Sequence, residues 1–167
     1  IGKVKAKGTV DKQDADCQSL ATTAEAAVNH PYAPTLSIAY NDVNGIHLDE
    51  WMDVHYKIND TPALWGGQNT VNKRNFKLKY ELIGYISPNY NTNESAHATI
   101  NGDHFTVKGY KDDAAGRQII GRTPLVRVTL VDGNSNNAIA AVGYIKVKIT
   151  DVNATPLTVT SDGIKKD

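Results

Sequence analysis

The sequence predicts an all-β chain folded as an antiparallel sandwich, with a smaller strand-plus-helix region ahead of it. Three observations carry this expectation. Apolar and polar residues alternate at period two through most of the second half, the mark of strands with one buried face. Between these runs lie segments rich in Asn, Asp and Gly, residues that bond nearby backbone or tolerate left-handed conformations. The composition agrees: fifteen Asn, fifteen Thr and fourteen Asp stand against only four Glu, so turn and pleated-surface residues outnumber a good helix former.

The first half is the less regular. Val4, Ala6 and Val10 alternate with Lys3, Lys5 and Lys7, which predicts an edge strand whose lysines discourage pairing with other chains. Leu20, Ala24, Ala27 and Val28 fall at helical spacing over residues 18–29, and Pro31 stops such a helix. Leu36, Ile38 and Tyr40 predict a short strand before the turn Asn41-Asp42-Val43-Asn44-Gly45. In the second half Phe76, Leu78, Tyr80, Leu82 and Ile86 share one face, with Lys77, Lys79 and Glu81 opposite. Phe105 and Val107 form the next set, then Val126, Val128 and Leu130. Ile139, Ala141, Ile145, Val147 and Ile149 share parity, with Lys146, Lys148 and Thr150 opposite. The polar run from Asp132 to Asn137 joins the last two sets as a hairpin loop. Leu157 and Val159 suggest one more strand. Strands of this length, joined by turns with hardly a helical period among them, argue for the immunoglobulin-like type of sandwich. The division falls near residue 70. Residues 1–70 form an N-terminal subdomain or an extension packed on the sandwich, 71–160 the sandwich, and 161–167 a tail or linker.

Composition also excludes. With 167 residues the chain can bury a core without staples. Its 18 basic and 18 acidic side chains cancel, removing the electrostatic case for nucleic acid as a partner. No apolar run is long enough to span a bilayer, so direct membrane insertion is not expected. A start at Ile1 suggests a removed leader or a segment of a longer polypeptide. Cys17 stands alone, which rules out an intrachain disulfide and metal sites built on paired cysteines. No nucleophile elbow, phosphate-binding glycine loop or His-Glu-x-x-His pair occurs. Catalysis is not expected, and neither is a cofactor, calcium apart.

The segment from His47 to Tyr56 is the most suggestive. Read as a strand, it places His47, Asp49, Trp51, Asp53 and His55 on one face. An indole flanked by carboxylates can stack on a sugar's C–H face while the acids accept hydroxyl hydrogen bonds. The same two His and two Asp could take a divalent metal. Leu48 and Met52 fit one helical turn equally well, and then the constellation dissolves. Trp65, in the loop Pro62-Ala63-Leu64-Trp65-Gly66-Gly67, and Tyr90, in the polar run from Asn89 to Glu94, are further ligand candidates, or plugs at an end of the sandwich. For calcium, the clusters Asp11, Asp14, Asp16 and Asp132, Asn134, Asn136 offer oxygens, but the second lacks the glycine and the terminal Glu of an EF-hand loop.

One resemblance adds to this. Gly121-Arg122-Thr123-Pro124-Leu125-Val126-Arg127-Val128, the Asp132-Gly133 turn and the run from Gly143 to Ile149 resemble extracellular Ig-like modules of Bacteroides-type bacterial surface proteins. Asp151-Val152-Asn153-Ala154-Thr155-Pro156 is similar to the linker that ends cadherin-like repeats, where such residues bind calcium between domains. The resemblance spans roughly residues 97–156. It implies an extracellular or outer-surface location and an adhesive or spacer role. The partners it implies are a protein or glycan on a cell surface and neighbouring domains of the same polypeptide, with Asp151 and Asn153 as the calcium candidates.

Overall fold

A computed structural model describes residues 2–6, 18–30, 33–58, 61–63, 76–89, 91–108, 117–133, 136, 138–151, 158–160 and 163–165. Its strands are β1 (Gly2–Ala6), β2 (Gln18–Ser19), β3 (Thr35–Ala39), β4 (Ile46–His47), β5 (Met52–Ile58), β6 (Thr61–Ala63) and β7 (Phe76–Ile83). They continue with β8 (Ala98–Asn101), β9 (His104–Val107), β10 (Leu125–Asp132), β11 (Ala138–Thr150), β12 (Thr158–Thr160) and β13 (Gly163–Lys165). A short helix, α1 (Ala24–Asn29), and two 3-10 turns, Leu48–Trp51 and Glu94–His97, complete the regular structure. The fold is all-β.

The principal sheet has the order β3-β11-β10-β7, antiparallel except for the parallel pair β3–β11. A three-stranded sheet, β4-β9-β8, shares its core. Val126, Val128 and Leu130 of β10 and Ile145, Val147 and Ile149 of β11 are buried with Leu36 and Ile38 of β3 and Phe105 and Val107 of β9. A further sheet has the order β2-β1-β5-β6, and β12 pairs with β13 as a hairpin. β1 is therefore flanked by β2 and β5, not left at an edge. Residues on both sides of position 70 build the same core.

Three departures from the alternation have local causes. The register between β10 and β11 shifts after Leu130↔Ala141, so that Val131 pairs with Ile139 and one residue bulges out. An extra residue turns every later side chain to the opposite face, and Ile139 is exposed although Ile145, Val147 and Ile149 are buried. β7 ends at Ile83, and Ile86, now in a bridge with Asn93, is exposed as well. The helical pattern read from residue 18 delivers a helix only from Ala24. Ala21 is used by β11: its N–H donates to the Tyr144 carbonyl at 3.2 Å and its carbonyl accepts from Tyr144 N–H at 2.9 Å. Thr23 then caps the helix, its Oγ1 accepting from Ala26 N–H at 3.0 Å.

Two glycines are fixed by space. Gly45, at φ 68°, closes a turn in which Asp42 Oδ1 accepts from the Asn44 and Gly45 N–H groups. A Cβ there would lie 2.3 Å from the Phe105 carbonyl oxygen. At Gly143 a Cβ would lie 2.7 Å from Leu20 Cβ. Alanine for glycine within a strand normally gains roughly 0.5–1 kcal/mol. Here overpacking against Leu20 reverses the sign, and Gly143→Ala is expected to cost about 1–3 kcal/mol. A urea midpoint equal to or above that of the parent chain would contradict this.

Candidate functional site

The pairing of β3 with β11 floors a concavity. Its register sets Lys146 beside Thr35 and Lys148 beside Ser37. Their neighbours in sequence, Ile145, Val147 and Ile149, are buried in the core, so period two turns both lysines to the opposite face. Over that face lies an open cleft of about 620 Å³. Val28 and Asn29 at the end of α1 form one wall, and Tyr85, Ser87, Pro88 and Asn89 another; Glu94, Gly121 and Thr123 also line it. The lining is mostly hydroxyl, amide and ammonium. Lys146 is held below its ordinary lysine pKa, first by burial and then by the neighbouring Lys148 charge. Among the described residues neither ammonium has an ion-pair partner.

A buried strut sets the wall that carries Tyr85. Glu94 is only 1% exposed, and its Oε2 accepts from Arg122 Nε at 2.7 Å. Arg122 Nη2 also donates to Thr92 Oγ1, and Glu94 Oε1 lies 3.4 Å from the Thr123 N–H donor. Glu94 N–H donates to the Tyr85 carbonyl at 2.9 Å, and Asn93 Oδ1 accepts from Tyr85 N–H. The Tyr85 hydroxyl reaches the carbonyl and the Oγ1 of Thr123. The loop is thus tied to the lead-in of β10 by side chains. His97, in the same 3-10 turn, has a buried Nε2 without a hydrogen-bond partner among the described residues, 3.8 Å from Glu94 Oε2. Burial, then the Arg122 charge, holds its pKa below the ordinary value, with Glu94 opposing.

The His47–Tyr56 segment takes the helical-turn alternative over its first part. Leu48, which opens the 3-10 turn Leu48–Trp51, and Met52, which follows it, are both fully buried, and the extended strand begins only at Met52. Asp49 and Trp51 therefore do not continue the face of β5. Trp51 is half-buried and packs against the core. Asp49 Oδ1 accepts from the Tyr80 hydroxyl at 2.5 Å. Its pKa is raised, chiefly by burial and with a contribution from Asp103, while the Tyr80 bond and His47 act against the shift. Tyr80 is itself held far above the usual phenol range by burial and by Asp49. Nearby, His47 stacks on His104 with centroids 4.7 Å apart, and its Nδ1 lies 3.4 Å from Asp103 Oδ1. Asp53 lies in β5, but its side chain, like Trp65, Tyr90 and Asn153, lies outside the described residues, as do Asp11, Asp14 and Asp16. Asp151 is exposed at the end of β11. Among the described residues no group of three or more His, Cys, Asp or Glu is placed to hold a metal ion.

Lys146, Lys148, Thr35, Ser37, Tyr85 and the Glu94–Arg122 pair were not singled out by sequence reasoning. The parity of the two lysines was legible, but the strand beside them was not. In comparisons with known proteins, the chain matches no family model, no curated protein and no solved structure.

Two outcomes follow for the strut. Glu94→Ala leaves a buried guanidinium without its carboxylate and is expected to cost about 3–5 kcal/mol. Glu94→Ala/Arg122→Met should cost clearly less than the single change, because the stranded charge is removed; chemical denaturation of both variants decides it. His97 adds a pH dependence. Its folded pKa is lowered from 6.5, so in the window just below 6.5 the unfolded chain binds the extra proton and stability falls as pH falls. His97→Gln should flatten that part of a stability–pH profile, and an unchanged slope would reject the assignment.

Proposed function

We propose that this chain is a non-catalytic, immunoglobulin-like module of a bacterial surface or secreted protein, serving adhesion or spacing neighbouring domains. The observation that carries the reading is the strand order. Taking β4, β7, β8, β9, β10 and β11 as strands B, C, D, E, F and G, one sheet runs B-E-D and the other C-F-G, with β3 added in parallel beside G. That is the division used by constant-type immunoglobulin domains. In this reading β5 and β6 lie in an excursion between strands B and C. The strand-and-turn resemblance of the C-terminal half to extracellular bacterial modules supports the same class and the outer-surface location. Fold alone does not dictate function, so the adhesive part rests on the cleft over β3 and β11.

The cleft also favours a second reading, a carbohydrate-binding module. Hydroxyl, amide and ammonium groups converge there on a concavity of the size that small ligands occupy. The partner is then a glycan on a cell surface, met at the sheet.

The experiment is direct. Beads coated with the folded chain should adhere to mucin-coated or epithelial surfaces above beads carrying heat-denatured chain. Incubation with polysaccharides should release no reducing ends. Release that grows in proportion to protein and time would replace the reading by a hydrolase.

A further inference from the structure

We propose that the cleft over β3 and β11 binds an acidic saccharide, whose carboxylate or sulfate groups are held by Lys146 and Lys148. The proposal rests on the non-catalytic binding reading above and names the ligand class of that site. Its starting point is an uncompensated electrostatic arrangement. The two lysines are two residues apart on one face of β11, roughly 7 Å along the strand, and both line the cleft. Like charges so placed oppose one another, and in a partly desolvated concavity solvent screens them less than on an open surface. No carboxylate among the described residues pairs with either lysine. The one acid lining the cleft, Glu94, is committed to Arg122 at 2.7 Å. An anion supplied from outside relieves this arrangement; a neutral ligand leaves it as it stands.

The remaining lining says what carries the anion. Thr35 and Ser37 stand beside the lysines on β3, and Ser87 and Asn89 stand on the loop. Hydroxyls and amides both donate and accept, as polyol recognition requires. Tyr85, with its hydroxyl engaged by Thr123, offers a ring held in place for a sugar's C–H face. A volume of about 620 Å³ exceeds what one small inorganic anion needs. Nucleic acid is a poorer fit, since the 18 cations and 18 anions of the chain leave no general field to attract it.

The test titrates the folded chain calorimetrically with polygalacturonate, dextran sulfate, neutral dextran and polyglutamate at low and moderate salt. Binding is expected for polygalacturonate, dextran sulfate or both, which tells carboxylate from sulfate as the source. Neutral dextran and polyglutamate should bind at least tenfold more weakly. Lys146→Ala/Lys148→Ala should lower the affinity for the acidic saccharide at least tenfold and reduce its salt dependence. Since Lys148 is exposed, Lys148→Glu provides a second variant whose fold is easily kept, and it should abolish binding. Equal binding of neutral dextran, equal binding of polyglutamate, unchanged affinity in Lys148→Glu, or no polymer binding at all would each overturn the assignment. Bead adhesion by a chain to which neither acidic polymer binds would reject this ligand while leaving the adhesive reading intact.

Discussion

Register along β11 is the constraint on which the rest of this molecule depends. This strand pairs with β10 on one side and with β3 on the other, and its alternation sorts side chains into two populations. Ile145, Val147 and Ile149 complete the core with Val126, Val128, Leu130, Leu36 and Ile38. Lys146 and Lys148 face away. A slip of one residue would exchange these sets, burying two ammonium groups and exposing three branched aliphatic side chains. At roughly 1.5–3 kcal/mol for each such side chain moved from core to water, that alternative cannot compete. The bulge beside Ala141 confines the one irregularity to the hairpin end, so the stretch facing β3 keeps its phase.

The Glu94–Arg122 pair works differently. Removing two ions from water costs free energy that their attraction only partly returns, and a well-packed apolar pair could serve stability as well. What an apolar pair would not do is fix direction. The carboxylate receives Arg122 on one oxygen and approaches the Thr123 N–H with the other, while its own backbone bonds back to Tyr85. These bonds place one wall of the cleft relative to the sheet. The pair orients a loop that the core itself does not reach.

Much of the sheet structure was legible in the sequence because the strands around β7, β9 and β11 each turn one face to the core, and burial on one face writes itself as alternation; β10 alternates in sequence although it is buried on both faces. The polar run after Asp132 marked the hairpin for the same reason. Less was legible where backbone partners overrode local pattern. Leu20 and Ala21 read as a first helical turn, but β11 took the Ala21 backbone, and Leu20 fills the space that Gly143 leaves empty. Ile139 had the right parity and the wrong face because a bulge leaves no mark in an alternation count. The site was harder to see. Lys146 and Lys148 look like an ordinary solvated face until Thr35 and Ser37, distant in sequence, are laid beside them. Glu94 gives no hint of burial in a run of Asn, Thr and Ser, since its partner Arg122 lies on another element. His47 to Tyr56 was ambiguous for another reason. A strand pattern and a helical pattern coexist there, and the burial of Leu48 and Met52 settles the first turn in favour of the core.

The parallel pairing of Thr35–Ala39 with Lys146–Thr150 has a mechanical consequence. Tension that enters the polypeptide at Thr35 and leaves at Thr150 runs lengthwise along two adjacent strands in opposite directions. The rungs between them are then loaded together in shear, whereas pulling a hairpin open from its ends strains its bonds one after another, like a zipper. The same seam that seats the two lysines is thus the part of the sheet best arranged to hold when the molecule is pulled.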